Sequence, residues 1–325
     1  MAQATSPDRF GEARGRDAST PEDIPARGWK DILWRVKNQI KEDRLSIIAA
    51  GVAFYGLMAI FPALIALVAI YGLAFDPAQV EQQVSQLRGV LPPQAADVLL
   101  TQLHDLTSTS SAALGFGAVL GIVLALWSAS AGMRTLMEAL NVAYDEEEKR
   151  GTIRFYATAL LLTLAAIAGA IIAISLVVAL PIVLNFLGGL GGALKWLISI
   201  GSVVILIATV MLGLAIVYRY GPSREQPRWR WVSWGAVIAT VLWVIGSVLF
   251  SVYVTRFGNY NETYGSVGAI VILLMWFLLS AYAVLIGAEV NAEMERQTRK
   301  DTTAEGDKPM GRRGAYAADT VGESR

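Results

Sequence analysis

The sequence predicts an all-α membrane protein: six transmembrane helices, both termini cytoplasmic, and an extracytoplasmic amphipathic helical hairpin between spans 1 and 2. Three observations carry this prediction. Of 325 residues, 54% are apolar and only 17% are charged, against roughly 25% charged in ordinary soluble domains. Six windows contain no Asp, Glu, Lys, Arg or His: Leu45–Phe75, Leu106–Met133, Phe155–Leu194, Trp196–Tyr218, Trp231–Thr255 and Thr263–Ala288. Each exceeds the ~20 residues needed to cross a bilayer core of about 30 Å. Finally, the 27 Lys and Arg residues are unevenly shared. Alternate loops hold only Arg88, Lys195 and Arg256, and all the others lie in the two termini and the remaining two loops. The positive-inside rule then puts both termini in the cytoplasm, which an even number of spans requires. The zero net charge conceals this asymmetry. The basic residues read as topology signals and lipid-headgroup contacts, with no nucleic-acid footprint.

Taken in chain order, residues 1–27 are polar and aperiodic, and are expected to form a disordered cytoplasmic arm. They contain no apolar segment ahead of a cleavage site, so span 1 is expected to act as an uncleaved signal. The membrane domain is expected over residues 28–297. It opens with a helix that places Trp29, Ile32, Leu33, Val36 and Ile40 on one face. Such a helix suits either the cytoplasmic leaflet surface or the inner end of the bundle. Span 1 carries Pro62, which removes a helical hydrogen bond. That break serves either a packing kink or a helix lining a pathway.

The segment from Asp76 to Asp105 steps Val80, Val84, Leu87 and Leu91 at helical spacing, then breaks at Pro92-Pro93 and resumes. It predicts the external hairpin, which holds His104, the one histidine. Span 2 has Gly117, Gly121, Ala125, Ala129 and Gly132, small residues that let helices approach closely. Pro181 marks the outer end of span 3, and the glycine-rich turn at residues 188–192 lacks the Lys-Ser/Thr of a phosphate loop. Trp229, Trp231 and Trp234 open span 5 as interfacial anchors. Residues 298–325 are expected to form a disordered cytoplasmic tail.

Two places concentrate polar chemistry. The outer segment Arg256–Ser266 is rich in aromatic and polar groups. Tyr253, Phe257, Tyr260 and Tyr264 with Glu262 would form a cage for a quaternary ammonium, or an aromatic belt around a glycine turn. At the inner end of span 6, Glu289 follows 26 uncharged residues, with Glu293 one turn on and Asn291 on another face. A carboxylate at that depth faces the bundle interior, a partner or water. Arg134, Arg150 and Arg154 are candidate partners for an ion pair. The alternative is a gate, or a site for a cation or proton. Glu146 and Arg150, at helical spacing, read as a solvated loop face.

Three stretches resemble one family: AAGVAFYGLMAIFPALIALVAIYGL in span 1, LWSASAGMRTLMEALNVAYDEEEKRG after span 2, and FSVYVTRFGNYNETYGSVGAIVILLMWFLLSAYAVLIGAEVNAEMERQ at the end. Together they resemble the YihY/BrkB family of bacterial inner-membrane proteins, over about residues 30–296. The resemblance implies a six-helix, multi-pass inner-membrane protein. Members have been labelled ribonuclease BN or virulence factor, and some are implied to export compatible solutes such as glycine betaine. It supplies no catalytic residues.

Hydrolytic chemistry has little support. The chain has no cysteine, one histidine, and no nucleophile elbow, HExxH or Walker motif. No metal site, cofactor or enzymatic activity is expected. The polar groups inside the spans are Ser, Thr, Asn and Tyr, which suits a neutral or zwitterionic solute. The expected function is efflux of such a solute between spans 1 and 6. Pro62, Tyr253, Phe257, Tyr260, Glu262, Tyr264, Glu289 and Asn291 are its candidate path. The alternative is an envelope scaffold or lipid-organising protein. The expected partners are the bilayer, the solute and a second copy of the chain.

Overall fold

A computed structural model describes residues 14–74, 111–176, 180, 192–257, 266–304 and 306–324. The described chain is helical, with one isolated antiparallel bridge, between Pro227 and Thr303, and no strand. A short helix, α1 (Ala26–Glu42), precedes six long ones: α2 (Leu45–Ala74), α3 (Ser111–Ala143), α4 (Thr152–Ile174), α5 (Gly192–Tyr220), α6 (Trp229–Phe257) and α7 (Ser266–Glu295). A last turn, α8, covers Tyr316–Asp319. Among the described residues four segments are long and apolar enough to cross a membrane: Thr152–Ile174, Trp196–Tyr220, Trp229–Arg256 and Ile270–Glu295. Helices α2 and α3 reach 30 and 33 residues. Pro62 lies inside α2 without ending it.

Each long helix packs on the next in chain order, and α7 returns to pack on α2. The six therefore form a closed ring, in which α7 also touches α3. One cluster brings together the start of α2 (Leu45, Ala49), the end of α3 (Leu140, Ala143), the end of α5 (Ala215, Tyr218), the start of α6 (Val232, Ala236, Ala239) and the end of α7 (Leu285, Ala288). This is the basal end of the ring, where residues 14–27 and the described residues beyond Glu295 also sit.

Small side chains set the closest approaches. A Cβ on Gly132 of α3 would lie 3.3 Å from that of Ala59 and 3.4 Å from the Gly56 Cα, so α2 and α3 meet nearly backbone to backbone. Ala125 and Ala129 are buried on the same helix. The small-residue pattern of span 2 thus serves packing, the usual role of such stripes between membrane helices. Trp231 departs from the anchoring role expected of it. It is buried with Ile32 and Val36 of α1 and Val290 and Met294 of α7, while Trp229 and Trp234 stay exposed.

Helix α1 packs against α7. Of the two settings expected for it, the structure shows the bundle's end.

The described parts of the two tails are ordered, where the sequence predicts disorder. Residues 14–27 and 298–324 are packed on the basal end, with Gln297, Thr298, Thr302 and Thr303 fully buried. Their order comes from side chains that donate to backbone carbonyls. Arg16 reaches Gly322 O at 2.6 Å, and Arg313 donates to Ala318 O at 2.7 Å and Arg299 O at 2.8 Å. Thr298 donates to Ala18 O at 2.7 Å. Such bonds let a polar segment fold without an apolar core of its own.

Candidate functional site

Buried charge is concentrated at the basal end of α7. Glu295 forms a bidentate pair with Arg224 at 2.6 and 3.0 Å, both side chains fully buried, and accepts from Thr302 at 2.6 Å. Glu293 pairs with Arg35 of α1 and with Arg296 at 2.6 Å. Arg35 also donates to Gln297 Oε1 at 2.8 Å. These are closed arrangements in which each carboxylate has donors and each guanidinium has acceptors, as buried ion pairs require.

Glu289, one turn earlier, is different. It is 1% exposed, and its Oε1 meets no donor. It forms no ion pair among the described residues; Arg134, Arg150 and Arg154 all lie elsewhere. Arg134 stands over the rings of Trp127 and Tyr156, at 5.4 and 4.9 Å. Arg150 forks onto Glu148 at 2.7 Å. Arg154 lines a cavity between α4 and α5. The neighbour of Glu289 is another acid, Asp43, at the link between α1 and α2, and Asp43 Oδ2, like Glu289 Oε1, is buried without a hydrogen-bond partner. Two carboxyl groups so placed repel each other when both are ionised. Burial, with Asp145, Glu42 and Glu293 nearby, pushes the Asp43 carboxyl above its ordinary range, against the opposing effect of Glu289. Burial also raises Asp145, with Arg296 opposing. Among the described residues no group of three or more His, Cys, Asp or Glu stands where it could hold a metal ion.

Asn291 is fully buried and belongs to packing. Its Oδ1 accepts from the Gly235 N–H at 2.8 Å and its amide donates to Val232 O at 3.4 Å. It pins α7 to the first turns of α6. The Glu146–Arg150 pair expected on a solvated loop does not form. Glu146 is buried, accepts from the Tyr316 N–H at 2.6 Å and pairs with Lys149 at 2.8 Å.

Of the outer aromatic candidates, Tyr253 is 37% exposed and stacks on Phe250 with centroids 6.3 Å apart. Tyr260, Glu262 and Tyr264 lie outside the described residues, as does the external hairpin with His104, and the Phe257 side chain is likewise outside them. A cavity of about 510 Å³ lies where α2, α6 and α7 meet. Its wall is mainly Leu242, Phe250, Met275, Leu278, Leu279 and Ile286, with Ser46 and Tyr282 the polar exceptions. The structure therefore brings together Glu289 and an acid the sequence reading did not single out, Asp43. Position alone could have suggested Asp43, since it sits in the last charged cluster before span 1.

Charge-free helices arranged as a ring, with buried ion pairs at one end, define a polytopic helical membrane protein. Within that class, the sequence model of the family described as virulence factor BrkB matches residues 36–311, and the chain belongs to that family. A putative ribonuclease-like protein, YfkH, of Bacillus subtilis (strain 168) is 31% identical over 259 residues, covering 77% of this chain and 90% of that protein. UPF0761 membrane proteins of Psychromonas ingrahamii and Idiomarina loihiensis (IL2447) are each 28% identical. They cover 81% and 63% of this chain, and 86% and 69% of their own length. No solved structure matches.

Proposed function

We propose that the protein passes a small polar or zwitterionic solute across the bacterial inner membrane, with no enzymatic step. In this reading all six long helices span the bilayer. The basal end is cytoplasmic, on the strength of the basic residues gathered there, and the segment between α2 and α3 is the external hairpin. The carrying observation is the Glu289–Asp43 contact. It sets a fully buried carboxyl beside a half-buried one, with no ion-pairing cation among the described residues, at the end where the ring is closed. Intramembrane ionisable groups without a structural partner mark pathways and proton relays. The neighbouring acids Glu293 and Glu295 are fully committed to arginines, which sets Glu289 apart as the mobile element of a basal gate.

The test is release of labelled glycine betaine, then of a short panel of neutral osmolytes, from proteoliposomes after a hypo-osmotic step. The expected result is protein-dependent release that Glu289→Gln changes by about 10-fold or more, the size of effect that one displaced charged hydrogen bond supports. No release above empty liposomes across the panel would overturn the reading.

One observation favours a second reading, a scaffold or lipid-organising protein. The cavity at the α2–α6–α7 junction is apolar, and an acyl chain fits such a wall better than a zwitterion does. Retention of lipid there with no solute flux would select it.

A further inference from the structure

The links between α3 and α4 and between α5 and α6 enclose a cavity of about 400 Å³ that the proposed pathway does not use. Lys149, Arg150, Arg154, Arg219 and Arg224 line it, with Glu225 the one acid on its described wall. Three of these five cations are already neutralised. Lys149 pairs with Glu146 at 2.8 Å, Arg150 with Glu148 at 2.7 Å, and Arg224 with Glu295 at 2.6 Å. The other two are not. Arg154 is exposed and makes no ion pair among the described residues. Arg219 gives one N–H to the Pro227 carbonyl and lies over the Trp229 ring at 4.8 Å, but its Nε is buried without a partner, and among the described residues no carboxylate pairs with it.

Two guanidinium groups without counter-ions thus share one recess. Their mutual repulsion and the unmet Nε both call for an oxyanion, and planar guanidinium forks match phosphate geometry. The start of α4 adds to this. Its N-cap, Gly151, lines the cavity and offers no side-chain cap, so the positive end of a 23-residue helix dipole begins at the cavity wall.

The level of the cavity says which anion. The α4 span begins at Thr152 and the α5 span ends at Tyr220, so the recess lies where both helices leave the apolar core. Tyr220 and Trp229, edge to face at 6.4 Å, are the ring types that settle at that depth. Basic pockets between membrane helices at this level hold lipid head groups. We propose that this cavity binds a phosphate group, that of an anionic lipid head group in the cytoplasmic leaflet.

Native mass spectrometry of the full chain in detergent tests it, with phosphatidylglycerol, phosphatidylcholine of the same acyl chains, and inorganic phosphate as probes. Phosphatidylglycerol is expected to be retained in preference to phosphatidylcholine. Arg154→Gln, an exposed change that leaves the fold intact, should weaken that retention by about 10-fold, as should Arg219→Gln. Lys37→Gln, in the separate basic recess beside α1, should leave it unchanged. Equal retention of both lipids, or loss only in the Lys37 variant, overturns the proposal. Displacement of phosphatidylglycerol by millimolar inorganic phosphate overturns the lipid as the source of the group.

Discussion

The basal and distal halves of the ring are built from the same residue types and held in opposite ways. At the base, Leu140, Tyr144, Tyr218, Leu285 and Ala288 are buried to within a few per cent, and buried ion pairs join three separate segments of chain. Further along α5, the consecutive residues Val203, Val204 and Ile205 are 54%, 59% and 52% exposed. Three successive residues cover about 200° of a helix, so little of α5 is shielded there. Exposure of Ile171, Ile172 and Ile174 shows the same for α4. Where the two halves join, Trp243 and Trp276 of α6 and α7 bond across to Ser280 at 3.0 Å and Ser247 at 3.3 Å. In lipid, apolar surface gains nothing from leaving the solvent, so close packing is kept only where small residues and polar locks enforce it. The base is locked by polar contacts, and among the described residues the distal half lacks them along α4 and α5.

The largest effect should come from breaking that lock at its most buried point. Arg224→Met leaves the Glu295 carboxylate fully buried with Thr302 as its remaining donor. Stranding one partner of a buried pair costs about 3–5 kcal/mol, and thermal unfolding in detergent should register it. Pairing Arg224→Met with Glu295→Leu should recover most of the loss. A single-variant cost no larger than that of an exposed pair, ~1 kcal/mol or less, would mean that the base is held by apolar packing and would erase the contrast.

Next in size is a steric contrast using one substitution at two depths. A Cβ on Gly235 would come within 2.2 Å of Gly287 O and 2.4 Å of Asn291 Cγ, forcing α6 off α7 and stretching the bond to Asn291. Overpacking of this kind costs about 1–3 kcal/mol. A Cβ on Gly201 of α5 meets nothing within 4 Å. There Gly→Ala should raise stability by up to ~1 kcal/mol through helix propensity. The same apparent melting measurement reads both, and a shared sign would show that the distal half is packed as tightly as the base.

How far sequence reached differs along the same lines. The helices were legible because a charge-free run of more than 20 residues has one physical meaning in a chain with six of them. Glu289 was legible as a residue to watch because a carboxylate after 26 neutral residues must face the interior, a partner or water, and the structure buries it. Its neighbour was not. Asp43 lies in the polar string Lys41-Glu-Asp-Arg44, and only the packing of α1 beneath α7 decides that it is half-buried and Lys41 is not. The ordered tail was illegible for a related reason. Arg16 and Arg313 hold it through backbone carbonyls, and a carbonyl has no sequence signature. Trp231 shows the same limit, since an anchoring and a buried tryptophan look alike at the start of a span.

The smallest of these effects grows as pH rises, and it addresses the proposed gate. Asp43 faces Glu42 from α1, Asp145 from the α3–α4 link, and Glu289 and Glu293 from α7, with Arg296 tempering Asp145. Burial and these acids raise the Asp43 carboxyl above its ordinary value of 3.8. A group whose folded value is raised holds its proton more tightly in the folded state, so the stability it contributes is complete below 3.8 and is lost as pH climbs through the raised value. Wild-type stability should therefore decline from about pH 4 upward, through the window in which Asp43 ionises against its neighbours. Asp43→Asn carries permanent neutrality at that position. It should match the wild type near pH 4, exceed it at pH 8, and flatten the profile between, while Asp145→Asn gives a weaker copy because Arg296 already offsets part of its cost. Melting temperatures at pH 4, 6 and 8 decide this. A variant less stable than the wild type at pH 8 would mean that Asp43 is ionised and paired with a cation, and the basal gate would then be one more lock of the kind seen at Glu295.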